Sequence, residues 1–84
     1  MTLPSAADRL ASVFRTVLTP PENRDVATLE YRGIPRWDSV GHMQLVAAVE
    51  TEFDVMLETE QVIDMSSFAK ALEILHDLGI DTSA

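Results

Sequence analysis

Asp38-Ser39-Val40-Gly41-His42-Met43-Gln44-Leu45-Val46-Ala47-Ala48-Val49-Glu50-Thr51-Glu52-Phe53 is the stretch that decides the fold of this chain. At the helical period Leu45, Val46, Val49 and Phe53 fall on one side, which predicts an amphipathic helix with that stripe against a core. Asp38 stands where an N-cap belongs, so the helix is expected over 39–53. Val40, Met43 and Ala47 fall on a different side. They form a second apolar stripe, either exposed for contact or covered by the preceding loop. A single serine hydroxyl therefore opens a helix, at the end where unpaired amides and partial positive charge collect.

Outward from this segment the pattern stays helical. Ser5 caps a first helix after Pro4, Asp8 lies in its first turn, and Leu10, Val13, Phe14, Val17 and Leu18 recur at helical spacing. Thr19-Pro20-Pro21 ends it, because proline has no amide donor and clashes with the turn before it. From Thr19 to Trp37 neither period holds. So long a loop inside a small domain is usually functional or mobile, and Leu29, Tyr31, Ile34 and Trp37 predict that it packs across the helices. Gly33 and Pro35 mark turns within it. After Phe53 a short helix is expected over 59–65, capped by Thr59, with Val62 and Ile63 facing inward. Ser66 or Ser67 then caps a last helix that carries Phe68, Leu72, Leu75 and Leu78 and closes at Gly79. The expected fold class is all-α: a small four-helix bundle of three main helices and one short one, with a long first loop. It makes one domain, 1–84, with its core over about 5–79.

Composition narrows the function. At 84 residues and 46% hydrophobic, the chain has enough apolar surface for one modest core. Arg and Lys interrupt every apolar run before membrane length, and no basic segment precedes an apolar one, so neither a signal peptide nor a transmembrane span is expected. Cysteine is absent, which excludes disulfides, thiolate metal sites and cysteine nucleophiles, and a cytoplasmic protein is the simplest inference. The net charge is −8, and it is segregated. From Trp37 to Ala69 there are seven acids (Asp38, Glu50, Glu52, Asp54, Glu58, Glu60 and Asp64) and no lysine or arginine. The other 51 residues hold seven acids and six bases. Such a surface repels nucleic acid and anionic lipid and steers basic protein partners toward itself. Read on its own, it is also the solvated acidic face that keeps a small domain soluble.

With Asp38-Ser39-Val40 followed by Leu45, Val49-Glu50 and Phe53, the chain resembles the acyl carrier protein family. The family pattern is Asp-Ser-aliphatic, then an aliphatic residue, an aliphatic-Glu pair and Phe at these same spacings. The resemblance runs over essentially the whole chain. It implies a 4′-phosphopantetheine arm, drawn from coenzyme A by a phosphopantetheinyl transferase and joined to Ser39 through a phosphodiester. Asp38 completes the motif as the helix cap, and Arg36 adds to the positive field that favours the phosphodiester. The arm's thiol would carry an acyl group as a thioester, which fits a chain with no cysteine of its own. By the same resemblance the second helix is the recognition helix. Val40, Met43 and Ala47 would form its apolar patch, and Asp38, Glu50 and Asp54, extended by Glu58 and Glu60, would meet the basic docking surfaces of an acyltransferase, ligase or ketosynthase. A monomer without catalytic residues, without metal, nucleic acid or membrane is what the resemblance implies.

The chain departs from fatty-acid-type carriers at Gly41, His42 and Gln44, where those usually place acids. The run 37–43 looks more like discrete carriers of bacterial secondary metabolism, which handle polyketide starter or extender units, including glyceryl-type and amino-acyl groups. No low-complexity or Ala/Pro-rich linker borders the domain, so a freestanding carrier is expected instead of a piece of a synthase. The alternatives are a peptidyl or aminoacyl carrier of a nonribosomal pathway and an unmodified helical interaction domain.

Other chemistry has less support. Asp38, Ser39 and His42 suggest a hydrolase, but the Gly-x-Ser-x-Gly elbow is absent and His42 falls on the core side, where a satisfied edge-of-core histidine is expected. His76 and Asp77 are adjacent, so one helix face cannot offer both to a metal; a histidine near a helix C-terminus favours the dipole instead. Trp37 either lines the base of the arm or anchors the loop, and anchoring is the commoner role of a lone tryptophan.

Overall fold

The computed structural model describes residues 5–20 and 22–80, so Pro4 and Pro21 lie outside the described residues. Four α-helices follow in order: α1 (Ala6–Leu18), α2 (Ser39–Phe53), α3 (Thr59–Asp64) and α4 (Phe68–Asp77), with one 3₁₀ turn at Val26–Thr28 in the long first loop. The fold is a small all-α bundle, as the periodicity predicts. Among the described residues no helix is long and apolar enough to cross a membrane.

Local chemistry sets most of the helix ends. Ser5 Oγ accepts the Asp8 N–H at 3.1 Å, and Ser67 Oγ accepts the Lys70 N–H at 3.1 Å; caps of this kind contribute about 1 kcal/mol each. At the end of α4 the Ile80 N–H bonds Leu75 O and the Gly79 N–H bonds His76 O, both at 3.0 Å. This is a Schellman closure, and Gly79 has the positive φ of 92° that it requires. Glu58, not Thr59, precedes the first residue of α3, and its N–H donates to Gln61 Oε1 at 2.9 Å. Thr59 becomes the first helical residue because the glutamine three positions after Glu58 satisfies the backbone there.

The core is formed by Leu10, Phe14 and Leu18 of α1, Leu45 and Val49 of α2, Met65, Phe68 and Leu75, joined by Leu29, Ile34 and Trp37 from the loop. The long first loop therefore packs across the helices, as its scattered apolar residues predict. Its aromatic residues continue a line through the core. Phe14 meets Phe68 edge-on with centroids at 5.3 Å and Trp37 edge-on at 5.4 Å. One expectation fails, on the short helix. Ile63 points outward with 71% of its surface exposed, and Leu72 and Leu78 are only half-buried while Ala71 and Ile74 take core positions. The buried side of α4, formed by Phe68, Ala71, Ile74 and Leu75, faces α1 and the loop.

Candidate functional site

Ser39 is the first residue of α2, and its side chain is exposed. Asp38 makes that helix start. Its Oδ1 accepts the Gly41 N–H at 2.8 Å while its carbonyl accepts the His42 N–H at 2.8 Å. The N–H groups of Ser39 and Val40 have no intrahelical partner, as in the first turn of any helix, so they add partial positive charge beside the hydroxyl. Gly41 is present for a steric reason. A Cβ at 41 would lie 2.0 Å from Arg36 O, so only glycine lets the 35–36 turn pack against the first turn of α2.

The loop leading into the site is closed on itself. Gly33 N–H bonds Glu30 O at 2.8 Å, Trp37 N–H bonds Ile34 O at 3.1 Å, and Arg32 N–H bonds Trp37 O at 2.9 Å. It is also stitched to the α3–α4 connection, where Tyr31 N–H donates to Ser66 O at 2.8 Å and Glu30 forms an isolated antiparallel bridge with Ser67. These bonds bring Tyr31 over the start of α2, with its hydroxyl 3.2 Å from Ser39 Oγ.

His42 is half-buried, and both its ring nitrogens are bonded. The Trp37 indole N–H donates to Nδ1 at 3.0 Å, and Nε2 lies 2.7 Å from Val62 O. Since Nδ1 accepts and a carbonyl only accepts, Nε2 carries the proton and donates it: the ring is neutral and in one tautomer. The imidazole lies nearly parallel to the indole, at an interplanar angle of 18°. His42 thus ties α2 to Trp37 on one side and to α3 on the other. It is the satisfied edge-of-core histidine that its position predicts, and neither nitrogen is directed at Ser39. Trp37 is fully buried and anchors the loop.

A groove of about 340 Å³ opens at Ser39, bounded by Tyr31, His42 and Met43 on one side and by Val62, Ile63 and Met65 on the other. A second groove, of about 320 Å³, lies around the same turn beside Arg36, Asp38 and Gln44. Met43, which lines the first groove, is 57% exposed and Val40, which lines the second, 66%, and Ala47 is exposed further along the same stripe. The loop thus leaves this second stripe uncovered.

The acids divide into two groups. Asp54, Glu58 and Glu60 are exposed. Glu50 is half-buried and serves to end α2, because its carboxylate accepts the Leu57 N–H at 2.9 Å and its carbonyl accepts the Asp54 and Val55 N–H groups. Glu52 pairs with Arg9 at 2.9 Å, whose guanidinium lies 4.6 Å over the Phe53 ring. Asp54, Glu58 and Glu60 thus leave exposed negative charge around the α2–α3 connection and the start of α3, while Asp38 places one exposed carboxylate directly beside the serine.

No family model, curated protein or solved structure gives a significant match to this chain. Sequence reasoning singled out Ser39, Asp38, Val40, Met43 and His42, which the fold assembles around one end of α2. It missed Tyr31 as a neighbour of the serine and missed the steric role of Gly41. For Tyr31 the sole signal was an aromatic residue in a loop otherwise rich in charge and turn formers.

Proposed function

We propose that this chain is a carrier protein, with Ser39 as the attachment point for a 4′-phosphopantetheine arm and α2 as the surface presented to partner enzymes. The observation that carries the reading is the exposed Ser39 hydroxyl at the first position of a capped helix, at the mouth of a groove and beside two exposed apolar residues, Val40 and Met43. The residues present fit the group. The unpaired amides at the start of α2 favour a phosphodiester anion, and the groove between α2 and α3 gives an extended chain a wall to lie against. When attached, the arm supplies a thiol that holds acyl cargo as a thioester. The chain's own residues then do three things. Asp38 fixes the helix start, Val40 and Met43 offer apolar contact, and Asp54, Glu58 and Glu60 steer basic partners into brief encounters.

The finer reading is a discrete cytoplasmic carrier of bacterial secondary metabolism, holding polyketide starter or extender-type, glyceryl or amino-acyl groups. It rests on Gly41, His42 and Gln44 standing where fatty-acid carriers place acids. The fold adds support, because Gly41 and His42 are committed to packing, so acids there would disrupt the turn. Incubation with coenzyme A and a broad-specificity phosphopantetheinyl transferase, read by intact mass, tests the carrier reading. Wild type should gain one pantetheinyl mass and Ser39→Ala none. If the alanine variant gains it equally, Ser39 is not the attachment point and the reading fails; if wild type gains nothing, the protein is instead an unmodified interaction domain acting through Val40 and Met43.

A further inference from the structure

We propose that Tyr31 is the positioning residue of the modification site: its hydroxyl holds the Ser39 side chain toward the α2–α3 groove and so sets the side of α2 from which an attached group leaves. The consequence for loading rests on the carrier reading above. The contact itself does not.

An exposed serine hydroxyl at the start of a helix has three staggered wells open to it and little to choose between them. A hydrogen bond selects one well only if its partner is itself fixed. Tyr31 is held by several contacts. Its backbone N–H is bonded to Ser66 O at 2.8 Å. Its ring meets Trp37 edge-on at 6.3 Å and His42 at 5.3 Å, and the Arg32 guanidinium lies 5.6 Å over it. Trp37 and His42 are locked in turn by their mutual hydrogen bond and by Val62 O. The phenol oxygen is therefore positioned through the buried Trp37 and the half-buried His42, although it sits on a loop. Phenylalanine would keep the ring contacts, so what it would lose is the hydroxyl's bond to Ser39 at 3.2 Å, together with the Arg32 side chain's hold on the phenol. The Ser39 hydrogen bond, with help from Arg32, also holds the Tyr31 phenol below its ordinary value.

In loading from coenzyme A the Ser39 oxygen forms a bond to the pantetheine-bearing phosphorus. The anhydride bond breaks, adenosine 3′,5′-bisphosphate leaves, and the serine proton passes to a base on the transferase. Tyr31 takes no part in the bond changes. It presents the oxygen in one orientation, which acts on the turnover number and not on the docking of the carrier.

Two measurements test this. Tyr31→Phe should be loaded roughly two- to five-fold more slowly at saturating carrier, with KM for the carrier and the thermal midpoint unchanged; the small factor reflects a long, exposed hydrogen bond. Tyr31 is also the sole tyrosine, so its phenolate absorption titrates it alone. Ser39→Ala should raise that titration midpoint toward the ordinary tyrosine value. Wild-type turnover in Tyr31→Phe, or an unmoved midpoint in Ser39→Ala, overturns the proposal while leaving the carrier reading intact. If wild type takes up no pantetheinyl mass at all, the carrier reading falls and the loading role falls with it, while the titration still reports the contact. Should Tyr31→Phe fail to fold, the Ser39→Ala midpoint decides.

Discussion

Gly41→Ala sets two physical effects against each other, and the structure says which wins. Alanine is favoured over glycine in a helix by at most about 1 kcal/mol. At position 41, however, the new Cβ would stand 2.0 Å from Arg36 O and 3.1 Å from its carbonyl carbon, whereas Cβ atoms essentially never come within 3.0 Å of such atoms. The turn or the helix must therefore retreat by about 1 Å. Neither is free to do so. Ile34 and Trp37, on either side of the turn, are buried, and the Gly41 N–H is held by Asp38 at 2.8 Å. Overpacking that displaces backbone costs up to about 3 kcal/mol, so the net expectation is a loss of about 2 kcal/mol. For an 84-residue domain that is a fall in melting temperature of about 8–16 °C. Urea unfolding followed by the fluorescence of Trp37, the sole tryptophan, reads the change as a lower midpoint at constant slope. A variant as stable as wild type, or more stable, would refute the reasoning, because helix propensity would then have outweighed the contact.

Other expectations follow from the same neighbourhood. His42→Ala strips the acceptor from the buried Trp37 N–H and the donor from Val62 O, at about 1–3 kcal/mol for each buried group left unpaired; nitrogen NMR of wild type should show the neutral Nε2–H form, and an Nδ1–H form would contradict the bonding. Met43→Asp should leave stability within about 0.5 kcal/mol, since the side chain is 57% exposed, yet slow loading and transfer; a large drop in melting temperature would mean that the stripe is a packing surface instead. Arg9→Ala should cost about 1 kcal/mol, and much of that should survive in high salt, because the guanidinium stacks on Phe53 as well as pairing with Glu52. The Tyr31 phenol ionises more readily folded than unfolded, so its contribution to stability is present above the ordinary tyrosine value of 10.0. That contribution is lost as pH falls through the folded value, and at neutral pH both states are protonated and it is nil. Ser39→Ala should diminish this alkaline increment, measured as urea midpoints on both sides of that range.

The legible parts of the fold are those decided within one turn of chain. Asp38 reaches Gly41, Ser5 reaches Asp8 and Ser67 reaches Lys70, each across three residues, so the caps and the span of α2 can be read directly from residue order. The stripe Leu45, Val46, Val49 and Phe53 is legible for the same reason, since over four turns the helical period alone places these residues on one side. A six-residue helix has no such side. The rotation of α3 is decided by what it packs against, and the bond from His42 to Val62 O, twenty positions apart, helps to hold α3 with Ile63 exposed.

The site divides in the same way. Ser39 as an exposed hydroxyl at a capped helix start is a local fact, and its spacing to Leu45, Val49, Glu50 and Phe53 carries the resemblance to carriers. That Tyr31 touches it, that Gly41 is required by the Arg36 carbonyl, and that Glu50 is spent on ending α2 are decided only when the loop folds back. The loop has no period of its own, so its course is set by burying Leu29, Ile34 and Trp37 against helices distant in sequence. Sequence by itself determined where the hydroxyl sits on its helix; tertiary packing decided what surrounds it, because the neighbours arrive through long-range burial that no local pattern encodes.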